Sequence, residues 1–548
     1  MKKLKLSLSS QSLIWVLSLY FGTILNLTFY HFIAQRLEIS NFSTVLFVFS
    51  LPVFVIVPLL ILFSLITIPY FGKTLTVILL CLSSIANYAM FKLGIFIDSD
   101  MYRNIVETTA REATDLITPT AVIWFAITGV LPAVLLFCCH IKYLSAGKEI
   151  IRRLKHILCS LLLLLCLMPF TYKDYVSFGR NNKQIKKLMN TFNYIYSVGR
   201  YYQRQAIANR QFVILDENPI REDIKENQPR VLILIVGETA RAANFSIYGY
   251  ERQTTPLLQE QNVIAFKDTL SCGTSTAVSL PCMFSHMTRK KFDVVDAKYT
   301  QNLIDLLAKS GYDILWREND DGCKEVCNRV ATEDMLRIHN KKFCHKKYCQ
   351  DEALLDGLEQ KIAAVTKDTV IVLHMMGSHG PTYYKRYPDE FRKFLPTCDT
   401  ADLQNCTREE IVNTYDNTIL YTDFIIDSAI DVLKKFPQYA SGLIYISDHG
   451  ESLGENSLYL HGIPYSVAPD VQKEIPFIFW MSDNLSQRST MDKFCLYQEA
   501  EKGNFSHDNL FHSVLGLLNI KTTTYEKDLD IFERCRFTVQ PALGANEQ

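Results

Sequence analysis

Glu238, Asp448 and His449 are residue types that hold a borderline metal such as zinc. Glu238 stands in Val236-Gly-Glu-Thr-Ala-Arg241, and the other two in Ile446-Ser-Asp-His-Gly450. Each segment follows a short apolar run, so both carboxylates are predicted at the carboxyl ends of strands. Singly, each also has an ordinary reading, because a strand-end carboxylate commonly caps the next helix. A third segment, Cys272-Gly-Thr-Ser-Thr-Ala-Val-Ser-Leu-Pro-Cys282, places three hydroxyls where a helix is predicted to begin. The free amides and positive dipole end of a helix start suit a phosphate. A threonine hydroxyl there becomes a nucleophile when metal coordination activates it; without that it is only a cap. His379, in Gly377-Ser-His-Gly-Pro381, and His461, in Leu460-His-Gly462, have the context of loop-borne site residues. His374 falls within the strand Val370–Met375 and reads as structural, while His507 and His512 fit either role.

The elements that position these residues follow from hydrophobic patterning. Residues 231–236, 312–316, 369–373, 442–446 and 475–479 are short apolar runs rich in β-branched residues, separated by helical stretches. That alternation predicts an α/β domain over residues 231–548 with a mainly parallel sheet. Ligands of such sheets gather at the carboxyl ends of the strands, where the acids and histidines stand.

The first third of the chain is different. Five segments are apolar for about 20 residues, the length that crosses a bilayer: 13–33, 45–71, 75–97, 121–141 and 157–172. They predict an α-helical transmembrane domain over residues 1–172. Pro52, Pro58 and Pro69 predict a kinked or broken second span, and the fifth is the shortest. The first is not a cleaved signal peptide, since further spans follow. Lys2, Lys3 and Lys5, then Lys73, then Lys142, Lys148, Arg152, Arg153 and Lys155 mark the cytoplasmic loops. Five crossings then put everything after residue 173 on the outer face. Residues 173–230 are polar, basic and aromatic, and read as amphipathic bridging helices at the membrane surface or as a plain linker.

Cysteine usage gives the same orientation independently. Of fifteen cysteines, five lie in the apolar spans and ten follow residue 230. The ten fall into close pairs, Cys272 with Cys282, Cys323 with Cys327, Cys344 with Cys349 and Cys398 with Cys406, leaving Cys495 and Cys535 as a distant pair. An even count in local pairs reads as disulfides in an oxidising compartment; the rival reading is zinc-binding thiolates, disfavoured because structural zinc motifs space their cysteines about two to four residues apart in two matched halves. Net charge is zero, with 57 basic and 57 acidic residues, which gives no support to a nucleic-acid partner.

Taken together, these segments resemble the phosphoethanolamine transferases of the alkaline phosphatase superfamily, above all the lipid A branch that includes the transferable colistin-resistance enzymes. Gly237–Arg241, Cys272–Ser285, Gly377–Pro388 and Ser447–Glu451 carry the resemblance, which extends over nearly the whole chain. It implies an alkaline phosphatase/sulfatase-like catalytic domain in the periplasm of a multi-pass inner-membrane protein, acting as a monomer. It implies that Thr276 is the nucleophile, that Glu238, Thr276, Asp448 and His449 bind one firmly held zinc, and that His379 and His461 lie near the phosphoryl group with duty at a second zinc. Asn104, Thr108 and Glu112 match the family's donor-binding residues, and spacings of four predict one helix face for all three. Lys324 matches a site lysine, but Asp321 stands where the family commonly has serine, so an acid there replaces a hydrogen bond or repels a phosphate. The implied reaction moves phosphoethanolamine from phosphatidylethanolamine to a lipid A phosphate in two steps through Thr276, and thereby favours polymyxin resistance. Two rival readings are the same chemistry on a lipopolysaccharide core sugar, and an inactive membrane lipid sensor. A sulfatase is disfavoured, because Cys272–Thr276 lacks the proline and arginine of the formylglycine motif.

Overall fold

Val231-Leu-Ile-Leu-Ile-Val236 is apolar at every position, the pattern of a strand covered on both faces. In the computed structural model, which describes residues 7–37, 42–109, 113–114, 116–206, 211–222, 228–345 and 348–537, this run forms β1 (Arg230–Gly237), buried along its whole length. It belongs to a seven-stranded sheet with β2 (Ile264–Phe266), β3 (Asp313–Glu318), β4 (Ala331–Asp334), β5 (Thr369–His374), β6 (Ala440–Ser447) and β7 (Phe477–Met481). The order is β2-β7-β6-β1-β5-β3-β4. Only β7 pairs antiparallel to its neighbours, β6 and β2; the other pairings are parallel. The short strands β2 and β4 at the two edges have no counterpart among the sequence-predicted runs.

Register brings the catalytic candidates to one level. Val236 lies opposite both His374 of β5 and Ile446 of β6, and Gly237 lies opposite Ser447. The residues just past those positions, Glu238 and Asp448, therefore leave the sheet side by side. Gly377 lies against Glu238: a Cβ on Gly377 would sit 2.6 Å from the Glu238 carbonyl oxygen, at a positive φ of 50°. Only glycine serves there.

The chain divides into two units, residues 1–102 with 117–202, and residues 103–116 with 203–548. The first contains five helices among the described residues that are long and apolar enough to cross a membrane: Ser10–Arg36, Thr44–Ile66, Gly72–Lys92, Pro119–Cys138 and Ala146–Tyr172. The helix Phe42–Ile66 runs through Pro52 and Pro58 and stops before Pro69, so the second span is not broken at its internal prolines. The fifth span belongs to the longest of these helices, Ala146–Asn181. It is not short, because the basic stretch 148–155 forms its first turns. There Arg152 and Arg153 both bond the Glu149 carboxylate at 2.7 and 2.9 Å.

All five cysteine pairs expected from spacing are disulfides, and the free cysteines Cys81, Cys138, Cys139, Cys159 and Cys166 lie in the first unit.

Candidate active site

Thr276 opens the helix Thr276–Met283, with Ser275 as its cap, and the Cys272–Cys282 bridge closes the loop around it. The Thr276 hydroxyl donates toward the Glu238 carboxylate, at 3.2 and 3.1 Å from its two oxygens, and lies 3.5 Å from His449 Nε2. His449 Nε2 is 3.3 Å from Asp448 Oδ2 and 3.7 Å from Glu238 Oε1. Glu238, Asp448 and His449 thus offer three ligand atoms within 4.8 Å of one another, all buried.

The second hydrogen bonds of these groups orient them. His449 Nδ1 donates to the Gly450 carbonyl at 2.9 Å, which leaves Nε2 as the lone pair facing Thr276. Asp448 Oδ1 accepts from the Thr239 and His449 amides at 3.1 and 2.6 Å. Thr239 reaches this position with φ 53°, an unfavourable conformation for a β-branched residue. The Tyr415 hydroxyl, which donates to the Thr239 carbonyl at 2.7 Å, helps hold it.

The electrostatics fit a cation. Burial, then the charges of Asp448 and Asp320, pushes Glu238 well above the usual carboxylate range. Burial holds His449 down to about 3, against the pull of Asp448, so its imidazole is neutral and free to ligate. Asp448 Oδ2 is buried with no hydrogen-bond partner. Two crowded carboxylates, a neutral imidazole and a hydroxyl are the oxygen and nitrogen donors that zinc takes.

Around this centre Asn104, Thr108, Asp320, Asp321, Lys324, His379 and His461 line one small pocket with Thr276. His379 Nε2 is 4.0 Å from Glu238 Oε1, and His461 Nδ1 is 3.3 Å from the buried Glu451 carboxylate. Lys324 has φ 46° within the tight Cys323–Cys327 loop. Its ammonium donates to the Asp321 carbonyl at 3.2 Å. Of the three residues expected on one helix face, Asn104 and Thr108 line the same pocket. Thr108 directly follows the helix Ser99–Glu107, and its hydroxyl and amide both bond the Asn104 carbonyl, one helical turn back, at 2.6 and 2.8 Å. Glu112 lies outside the described residues. Asp321 accepts a hydrogen bond from the Thr109 hydroxyl at 2.9 Å, which ties down the chain just past the helix Ser99–Glu107. Lys298 anchors the same segment from a second side, bonding Glu107 at 3.2 Å and Glu325 at 2.9 Å.

Sequence reasoning overlooked Asp320 and Glu451. Asp320 stands just past the carboxyl end of β3, the position that singled out Glu238 and Asp448, so the same rule could have found it. Burial pushes it up to about 6 despite the opposing pull of His374. His374, read as structural, is fully buried with Nδ1 2.8 Å from Glu318. Burial pulls His374 down, but Glu318, with Asp320 and Asp448 beyond it, reverses this and holds the imidazole up to about 9. Removing one partner of such a pair strands the other charge in the interior. Glu318→Ala is therefore expected to cost roughly 3–5 kcal/mol, seen as a clear fall in the thermal unfolding midpoint of the detergent-solubilised chain. An unchanged midpoint would show that the pair is uncharged or dispensable.

His507 and His512 take structural roles. His507 accepts from the Cys272 amide at 3.0 Å and donates to the Ser447 carbonyl at 2.8 Å, tying the Thr276 loop to the end of β6. His512 Nδ1 accepts from the Glu526 amide at 3.0 Å. Burial, with His286 adding, lowers His512 from 6.5 to about 4. Between those values the unfolded chain takes up a proton that the folded chain refuses. Stability should therefore fall as pH drops from 6.5 toward 4, by on the order of 2 kcal/mol from this group, with no contribution above that window. His512→Asn keeps an acceptor for the Glu526 amide and cannot titrate. Unfolding midpoints measured across this range should slope less in the variant than in the parent; equal slopes would exclude His512 as a source.

Residues 230–520 match the sulfatase family model, and residues 53–206 match that of the phosphoethanolamine transferases EptA and EptB. The phosphoethanolamine transferase EptA of Escherichia coli is 41% identical over 544 residues, covering 98% of this chain and 99% of that protein. The chain belongs to the phosphoethanolamine transferase family. The phosphatidylethanolamine transferase Mcr-1, also from Escherichia coli, is 35% identical over 83% of this chain and 86% of its own. Among solved structures, the integral membrane lipooligosaccharide phosphoethanolamine transferase A of Neisseria meningitidis aligns with a TM-score of 0.94 at 39% identity. The alignment covers 97% of this chain and 99% of that one. Like its family, this phosphoethanolamine transferase is a multi-pass inner-membrane enzyme with an alkaline phosphatase/sulfatase-like periplasmic domain.

Proposed function

We propose that this enzyme transfers phosphoethanolamine from phosphatidylethanolamine to a phosphate of lipid A through a phosphoethanolamine-threonine intermediate at Thr276. The observation that carries this reading is the Thr276 hydroxyl at a helix start, within 3.2 Å of the Glu238 carboxylate and 3.5 Å of His449. Glu238, Thr276, Asp448 and His449 would hold one zinc, and His379 and His461 stand where a second could be served. Zinc bound there supplies Lewis-acid charge that lowers the hydroxyl's pKa and offsets charge on a phosphoryl oxygen.

The residues divide the remaining work. Thr276 Oγ attacks the donor phosphorus and forms an Oγ–P bond as the bond to the diacylglycerol oxygen breaks. The hydroxyl proton already points at Glu238 and leaves with diacylglycerol. Lys324 offsets charge on the non-bridging oxygens, as phosphoryl transfer requires. Asn104 and Thr108 offer polar groups to the donor headgroup from the pocket wall, as Glu112 does on the family pattern. In the second step a lipid A phosphate oxygen attacks the same phosphorus, the Oγ–P bond breaks, and Thr276 Oγ takes up a proton from the acceptor phosphate or from solvent. The similarity to a lipooligosaccharide phosphoethanolamine transferase supports an acceptor of this type. The added amine offsets negative surface charge and weakens the binding of cationic peptides such as polymyxins.

Expression in a bacterium whose lipid A is unmodified tests the acceptor. The lipid A fragment released by mild acid should gain one phosphoethanolamine, together with raised polymyxin tolerance. Gain on the core sugar fragment instead would reassign the acceptor, and no gain on either would remove this reading.

A further inference from the structure

The membrane unit contains a cavity of about 330 Å³, well away in the chain from the catalytic residues. It lies between the helix Phe42–Ile66, which contributes Phe47, Leu51 and Phe54, and the long helix Ala146–Asn181, which contributes Leu164, Met168 and Tyr175. Its walls are almost entirely apolar. Tyr175 packs edge-on against Phe47 with ring centroids 4.8 Å apart, and meets Phe54 at 4.9 Å. Its hydroxyl shares a hydrogen bond with Ser50 at 3.0 Å. These ring contacts hold the apolar walls of the slot apart. That lining suits an apolar occupant. Met168 and Tyr172 on its rim are exposed.

Lys186 joins the lining from the segment Lys183–Leu188. The helix that precedes this segment crosses the membrane over Ala146–Tyr172, starting from the basic cytoplasmic stretch 148–155. Lys186 therefore lies at the periplasmic surface of the bilayer. Neighbouring Lys187 is engaged by Asp98 at 2.9 Å, whereas Lys186 is exposed. An apolar slot with a cation at its membrane-surface end matches the acyl chain and the phosphate of a glycerophospholipid.

We propose that this cavity holds one acyl chain of a glycerophospholipid from the periplasmic leaflet, with the lipid phosphate paired to Lys186. A lipid seated there fills the space between the second and fifth spans and joins them through one continuous apolar core. The site does not depend on the transfer reaction, so a chain inactive at Thr276 would still bind the lipid.

The full-length chain would be reconstituted into phosphatidylethanolamine and phosphatidylglycerol vesicles containing phosphatidylethanolamine with a photoreactive diazirine in one acyl chain. After irradiation, peptide mass spectrometry locates the adducts. Adducts are expected to concentrate on residues 47–54 and 164–178, above the level at Ile123 and Leu158, which are exposed and serve as the reference for ordinary lipid contact. Met168→Trp and, separately, Leu51→Trp fill the slot and should cut the adducts several-fold while the reference sites stay unchanged. Lys186→Gln should lower them and Lys186→Arg should preserve them. The proposal fails if the yield on 47–54 does not exceed the reference level, or if neither tryptophan variant changes it. Equal yields in Lys186→Gln and the parent overturn the phosphate contact.

Discussion

Thr276→Ala is expected to lower phosphoethanolamine transfer on the order of 10⁴-fold or more, the scale of loss when a covalent nucleophile is removed. It should also abolish a covalent adduct that the parent chain forms with phosphatidylethanolamine alone. The variant should keep its fold. Thr276 bonds only within the site, to Glu238 and toward His449, and alanine at a first helical position costs little. Thr276→Ser keeps the oxygen and should retain part of the activity. The measurement is the mass of the Thr276 peptide after digestion, with and without donor, beside a rate assay. A phosphoethanolamine adduct in the parent and none in Thr276→Ala would establish nucleophile and donor together. Full transfer without any adduct would point to direct displacement and remove Thr276 from the centre of the mechanism.

The second large effect concerns metal. Removing zinc with a chelator should abolish transfer and also lower the unfolding midpoint, because Glu238 and Asp448 are then buried together without a cation. A metal present at a thousandfold its dissociation constant stabilises by about 4 kcal/mol, which sets the scale of the fall. Asp448→Asn should behave oppositely in its two readouts. It loses metal and activity, yet its metal-free form should be at least as stable as the metal-free parent, because one of two crowded carboxylates is gone. Metal content by elemental analysis and thermal unfolding with and without chelator separate these outcomes. A parent whose midpoint and activity ignore the chelator would show that the cluster holds no essential metal.

The two experiments can disagree in an informative way. An adduct that survives chelation would leave Thr276 as nucleophile and move its activation to Glu238, the group its hydroxyl already meets.

Much of this protein is determined by local pattern and so could be read from the chain. The spans rest on length and apolar content, the orientation on basic loops, and four of the disulfides on cysteines close in sequence, with Cys495 and Cys535 left to form the fifth. All five disulfides and the five spans are present among the described residues. Glu238, Asp448 and His449 were legible because each directly follows a strand, and strand ends are where parallel sheets gather ligands. What depends on register and long-range packing was not legible. That Glu238 meets Thr276, 38 residues away, depends on the Thr276 loop being tied through His507 to the end of β6, beside β1. The charge on His374 is set by Glu318, brought beside it only by the pairing of β5 with β3. The hydrogen bond from Thr109 to Asp321 likewise joins residues more than 200 positions apart in the chain. Spacing along a chain reports which side chains an element presents; which partners they meet is set by how the elements pack, and only the tertiary structure decides that.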